Sequence, residues 1–249
     1  MIVLNNIHKI FHKGTPVEVA ALNNVNLTIN KNEFLILIGA NGSGKSTLLN
    51  LLAGSVIADS GKIYFGNKDV TSLPEFRRSA FIARVFQNPL AGTASDLTVL
   101  ENFRLASVRT QLKSLLIGTT VSFRNSVKEK IAELGLGLED KLDNQMGTLS
   151  GGQRQALTLL MSVADHAEIL LLDEPTAALD PRTAELIMKI TDSIIARFNL
   201  TAVLVTHNIK DAVNYGSRII QMNEGAIARD IIKNENTGIT TGAIYEWFN

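Results

Sequence analysis

An α/β fold is what this sequence predicts, with a mainly parallel sheet, an antiparallel β region at the N-terminus and an inserted helical subdomain. Three observations predict it. Residues 34–38 (FLILI) are wholly apolar and run directly into the glycine-rich stretch 39–46 (GANGSGKS), which is followed by helical spacing. A second apolar run, 169–172, ends in Asp173 and Glu174. Between the two, from about 88 to 165, helical periodicity replaces strand–helix alternation. At 249 residues, 45% of them hydrophobic, the chain is long enough for one domain with a subdomain built into it. The division expected is a core of 1–87 and 166–249, with a helical subdomain at 88–165.

Taken in order, 2–11 and 22–29 read as two strands, with Lys13, Gly14, Thr15 and Pro16 turning between them. Residues 34–38 have the length and uniform hydrophobicity of a strand buried on both faces. Leu48, Leu49, Leu51 and Leu52 give 45–53 a helical apolar face. Residues 81–86 are strand-like, and 99–106, 123–134 and 150–163 are helical. From Glu168 the alternation returns: strand 169–172, helix 181–198, strand 202–206, helix 209–215 and strand 218–222. This order implies a parallel sheet with helices on both faces. Residues 239–249 read as a short closing helix.

Several function classes are disfavoured by composition. Lys and Arg number 24, as do Asp and Glu, so the basic excess of a nucleic-acid-tracking protein is missing and no nucleic-acid partner is expected. Cysteine is absent, which excludes disulfides and thiolate metal sites. No apolar run approaches the ~20 residues that span a bilayer. Residues 1–5 (MIVLN) lack the pattern of a secretory signal, so a cytoplasmic location is expected. Of the four histidines, His8, His12 and His166 stand in no motif and read as structural.

The stretch 39–46 carries chemistry because of where its glycines fall. Gly39, Gly42 and Gly44 let the backbone approach an anion, and the amides of Asn41, Ser43 and Thr47 belong to the same loop-to-helix junction. Lys45 should reach the β- and γ-phosphates and the Ser46 hydroxyl should ligate Mg²⁺. Strand, loop and helix in this order mark a P-loop nucleotide hydrolase core. Asp173 ends a buried strand where its carboxylate would face the Mg²⁺ side of the phosphates through water. An acid after a strand is by itself ordinary solvated surface; beside Asp173 and the loop, Glu174 reads as general base or orienter of the attacking water. A third motif, Leu149-Ser150-Gly151-Gly152-Gln153, opens a helix. Ser150 is a good N-cap, and a helix N-terminus with a hydroxyl and two glycines is also a second anion site.

The three motifs together resemble the nucleotide-binding subunit of ATP-binding-cassette (ABC) transporters, from the first strand to about residue 230. That resemblance implies an ATP hydrolase (ATP and water to ADP and phosphate) using ATP and Mg²⁺. It makes Gln87 the glutamine that touches metal and water and faces a membrane partner. It makes His207 the switch histidine on the γ-phosphate, Phe11 the ring that stacks on adenine, and Asp180 part of the loop crossing a dimer seam. Residues Leu149 to Gln153 would act in trans on ATP held by the second copy, so that two ATP close a head-to-tail homodimer. Separate transmembrane permease subunits and an extracytoplasmic substrate-binding protein are then the expected partners, with the chain peripheral on the inner face of the membrane. Residues 143–148 lack the acidic-glycine pattern common in exporters. The runs 149–161 (LSGGQRQALTLLM), 176–181 and 206–208 resemble a bacterial importer subfamily, some members of which are linked to aromatic amino acid uptake. The alternative in another class is a soluble ABC ATPase of the iron–sulphur cluster assembly type.

Overall fold

The computed structural model describes residues 1–88, 90–108, 118–165, 167–233 and 238–248. Pro89, His166 and Asn249 lie outside the described residues. Two strands, β1 (Ile2–Phe11) and β2 (Val19–Ile29), open the chain, followed by β3 (Phe34–Gly39) and α1 (Lys45–Ala53). Next come β4 (Ser60–Phe65), β5 (Lys68–Asp69), α2 (Glu75–Arg78) and β6 (Ile82–Val85). The helical stretch holds α3 (Val99–Ser107), α4 (Val121–Ala132) and α5 (Gly151–Ser162). The return to the core runs β7 (Ile169–Asp173), α6 (Pro181–Arg197), β8 (Thr201–Val205), α7 (Ile209–Asn214), β9 (Arg218–Asn223), β10 (Ala226–Ile232) and α8 (Thr241–Tyr245).

Among the described residues the strands make two sheets. One is antiparallel, in the order β2-β1-β4-β5; the other runs β10-β9-β3-β8-β7-β6 and is parallel except for β10. Because side chains alternate across a strand, the central sheet feeds two cores. Leu35, Leu37, Leu171, Val203 and Val205 face α1 and the antiparallel sheet. Ile36, Ile38, Leu170, Leu172 and Leu204 pack against residues of α5, α6 and α8 on the other side. A third core, built from Val99, Phe103, Val127, Ile131, Leu157 and Leu160, holds α3, α4 and α5 together.

Strands β4 and β10 and helix α2 were not anticipated from the sequence. β4 (SGKIYF) and β10 (AIARDII) bury little, Ile63 being their one fully buried residue, so their apolar residues mark no buried face. The α2 segment contributes a buried Arg78, whose guanidinium donates to the carbonyls of Leu51, Leu52, Val70, Thr71 and Leu73. Its two contacts to Leu51 and Leu52 satisfy orphan acceptors at the C-terminal end of α1. This fixes the helix whose other end carries the phosphate loop.

Candidate functional site

The glycine-rich loop closes over the top of β3 and enters α1. Two of its glycines, Gly39 and Gly44, are required by the protein's own packing. A Cβ at Gly39 would stand 2.4 Å from the Met222 carbonyl oxygen, and one at Gly44 would stand 2.5 Å from that of Ala21. Both residues also have positive φ, 153° and 99°. Gly44 is the N-cap of α1 and offers no side-chain cap, so the first amides of the helix have no side-chain acceptor from the cap. Those are donors an anion can take.

Lys45 is buried, and its Nζ donates to the carbonyls of Gly39 (2.8 Å) and Ala40 (2.9 Å). Burial lowers its pKa, while the nearby carboxylates of Glu174 and Asp173 pull it back up. The lysine therefore stands in the field of both acids. Ser43 is buried with an unpartnered Oγ, Ser46 is exposed on the first turn of α1, Thr47 is half-buried and Asn41 is exposed.

Parallel pairing sets the acids beside the loop. Strand β7 lies next to β8, which lies next to β3, so the C-terminal ends of the three strands share one edge. Asp173 is the last residue of β7 and pairs in register with Val205. Glu174 follows with φ at 47°, an unusual left-handed backbone for a glutamate. Its amide donates to the Val205 carbonyl at 3.0 Å, which holds the bend. One carboxylate oxygen, Oε1, lies 2.8 Å from His207 Nε2. The structure thus brings together two side chains that are 33 positions apart in sequence (207 − 174). Gln87 is exposed two residues past the end of β6, where Val85 pairs with Leu172 of β7. Phe11 ends β1 half-exposed, outside the hydrophobic cores, with the Lys9 ammonium 5.4 Å from its ring centre.

The signature residues sit elsewhere. Ser150 is the N-cap of α5 and makes a reciprocal capping box: its hydroxyl accepts from the Gln153 amide (3.3 Å), and Gln153 Oε1 accepts from the Ser150 amide (3.2 Å). Leu149 is buried and Ser150 and Gly151 are exposed. Gly152 is a packing residue, since a Cβ there would meet Thr183 Cγ2 of α6 at 2.2 Å. The two glycines of the motif are therefore not equivalent, as a plain reading of a second anion site would have them. No hydrogen bond among the described residues joins this motif to the phosphate loop of the same chain. Asp180 caps α6 by accepting from the amides of Arg182 and Thr183, and a hydrogen bond from the Thr183 side chain, with these amides, holds its carboxyl below the usual range.

Two residues at the site escaped sequence reasoning. Arg84, on β6, reaches Asp173; a lone cation inside a strand-like run was the signal available. Asp211 is buried under the turn that carries His207, and burial pushes its pKa up to about 6, against hydrogen bonds from Asn208 and Thr206. It is the i+4 residue from His207, on the inward face of α7, and that spacing was its only mark. His8, one of the histidines read as structural, accepts from the Asn24 amide at 3.4 Å through Nδ1.

Sheet order, phosphate loop and paired acids define a nucleotide-hydrolysing α/β protein. The family model described as "ABC transporter" matches residues 22–177. The tyrosine transport ATP-binding protein of Clostridioides difficile is 38% identical over 251 aligned residues, covering all of this chain and 98% of that one. An energy-coupling factor transporter ATP-binding protein of Acetivibrio thermocellus is 33% identical, covering 92% of this chain and 80% of that one. A dimeric ATP-binding cassette in a post-hydrolysis state, bound to ADP and Pi, superposes with a TM-score of 0.78 at 32% identity, over 93% of this chain and 98% of that one. The chain belongs to the ABC transporter family, as an ATP-binding subunit with ATP hydrolase activity. Among the described residues no helix is long and apolar enough to cross a membrane.

Proposed function

We propose that this chain powers a solute importer: ATP closes two copies head to tail, and hydrolysis reopens them against separate membrane-spanning permease subunits. The observation that carries the catalytic part is the Glu174–His207 contact at 2.8 Å, beside a lysine that feels both acids. In this reading Lys45 exchanges its two backbone carbonyls for the β- and γ-phosphates. Glu174 accepts the proton of, or orients, the attacking water. His207 holds the Glu174 carboxylate and meets the γ-phosphate, while Phe11 receives the adenine.

The metal reading rests on donor chemistry. The Ser46 hydroxyl, the Gln87 amide oxygen and the Asp173 carboxylate are hard oxygen donors, and one carboxylate with phosphates and waters is what Mg²⁺ takes. Bound Mg²⁺ would neutralise charge on the β- and γ-oxygens. Among the described residues no group of three His, Cys, Asp or Glu is assembled for a metal. A site of this type needs none.

For the membrane partner, a cleft of about 550 Å³ between β6 and the helices α3 and α5 is lined by Arg84, Asn102, Leu105 and Met161. Leu105 is exposed there, which suits an inserted apolar helix of a permease subunit. Docking there would keep the chain peripheral on the cytoplasmic face. The full-length likeness to a tyrosine transport subunit supports an aromatic amino acid as solute; an extracytoplasmic binding protein would deliver it. The transport names of the relatives favour this over an iron–sulphur assembly role.

Glu174→Gln is the test. It keeps the shape of the site and removes the base, so turnover should fall by about 10²–10⁴-fold, while ATP should hold a stable dimer on size-exclusion chromatography. A variant that stays monomeric in ATP and turns over like wild type would refute the catalytic reading. Co-purification of soluble assembly proteins in place of membrane subunits would refute the transport reading.

A further inference from the structure

Arg84 is the one cation of β6, and it points at the acid assigned to the metal. It pairs in register with Leu171 of β7, and Asp173 lies two residues farther on the same face. Its Nη2 is 3.2 Å from Asp173 Oδ2, with the two side chains only 14% and 19% exposed. Two more contacts locate the guanidinium. Its Cζ sits 4.6 Å from the centre of the Phe86 ring, Nη1 is 3.5 Å from Ser55 Oγ, and Nε is buried without a partner. The same side chain lines the cleft against α3 and α5.

We infer that Arg84 is a positioning residue that holds Asp173 and weakens the site for a divalent cation. The inference rests on the reading of Asp173 as the Mg²⁺-facing acid. Two effects of the pair oppose each other. By occupying Oδ2 the guanidinium orients Oδ1, which helps a metal-bound water. By placing a positive charge 3.2 Å from Asp173, it would repel a dication held by that acid. The charge effect wins, because it acts on a doubly charged ion across a poorly solvated gap. The orientation effect is a single weak hydrogen bond at 3.2 Å. The Phe86 ring, 4.6 Å from Cζ, helps to hold the guanidinium charge beside Asp173.

The experiment measures Mn²⁺ binding by electron paramagnetic resonance in the presence of a non-hydrolysable ATP analogue. Arg84→Met and Arg84→Gln remove the charge; Arg84→Lys keeps it. The half-saturating Mn²⁺ concentration should fall by about fivefold to tenfold in the two neutral variants, the size a nearby charge exerts at this exposure. In Arg84→Lys it should stay within about twofold of wild type, because the positive charge is kept. Tighter metal binding is an outcome that loss of a merely structural contact, or poor folding, does not produce. Neutral variants that bind Mn²⁺ as wild type does, or more weakly, would overturn the role of Arg84. Asp173→Asn separates the two levels. If it leaves Mn²⁺ affinity unchanged, the metal-site reading falls and takes the inference with it. If it weakens binding while Arg84→Met does nothing, only the inference falls.

Discussion

Helices α1 and α5 each begin at a small residue in a glycine-rich motif, and their N-termini are finished in opposite ways. At α1 the cap is Gly44 in a left-handed conformation, with no side chain to accept from the first amides. At α5 the cap is Ser150, and a full capping box with Gln153 satisfies a donor at the helix end and the amide of the cap itself. An open N-terminus holds donors ready for an anion; a boxed one is stable alone and has to trade its cap for a ligand. The glycines differ in the same sense. Gly44 lies against the Ala21 carbonyl and cannot carry a side chain, whereas Gly151 is exposed and Gly152 is fitted to Thr183. The first terminus leaves donors open to an anion, and the second satisfies its own with Ser150 and Gln153.

The largest expected effect breaks the open terminus. Lys45→Ala removes the buried cation proposed to meet the phosphates. Hydrogen bonds to charged groups contribute about 1.5–3 kcal/mol each. ATP affinity should therefore drop by roughly ten- to a hundredfold or more, measured by calorimetry. The Gly39 and Ala40 carbonyls also lose their donor, so the nucleotide-free protein should melt earlier. Wild-type affinity for MgATP in this variant would place the phosphates elsewhere.

How far these two termini could be read in advance follows from what makes each. The phosphate loop was legible because Gly39, Gly42, Gly44, Lys45 and Ser46 are contiguous, and strand and helix flank them. The strands β3, β7 and β8 were legible because burial on both faces writes itself as an unbroken apolar run. Where burial is one-sided or slight, as in β4 and β10, the run dissolves into mixed residues and the strands were missed. Ser150 showed its cap but not its capping box, since Gln153 is equally well explained by the motif. The role of Gly152 was hidden because it depends on Thr183, which comes 31 positions later (183 − 152). Arg84 and Asp211 were hidden too. Arg84 is defined by Asp173, which only the sheet order brings near, and Asp211 by its burial, since its partners Asn208 and Thr206 are local.

A smaller effect tests the glycine of the boxed terminus. Gly152→Ala should place a methyl 2.2 Å from Thr183 Cγ2, forcing α5 and α6 apart. Overpacking of this kind costs about 1–3 kcal/mol, read as a shift in urea midpoint. Thr183→Ser removes the offending methyl and should restore most of the loss in the double variant. Were Gly152→Ala as stable as wild type, the residue would be there for a ligand and not for α6.

The smallest effect on stability is the most informative about function. Ser150→Asp replaces one good N-cap by another, and a negative charge at a helix N-terminus is favourable. Thermal stability should stay within about 0.5 kcal/mol of wild type, as expected between two good caps. Ser150→Ala, which loses the cap, should cost about 1 kcal/mol. If α5 only needs its cap, the aspartate variant will behave as wild type throughout. If Ser150 covers the γ-phosphate of ATP bound to a second copy, the aspartate puts like charge against like. It should then abolish ATP-driven dimer closure while ATP binding to the variant's own phosphate loop persists. Mixing Ser150→Asp with Lys45→Ala chains sharpens the point. The heterodimer pairs the intact loop of the first with the intact signature of the second, so partial hydrolysis should return from two inactive parents. A Ser150→Asp protein that closes and hydrolyses ATP at the wild-type rate would reduce Ser150 to a helix cap, and the boxed terminus of α5 to a structural device.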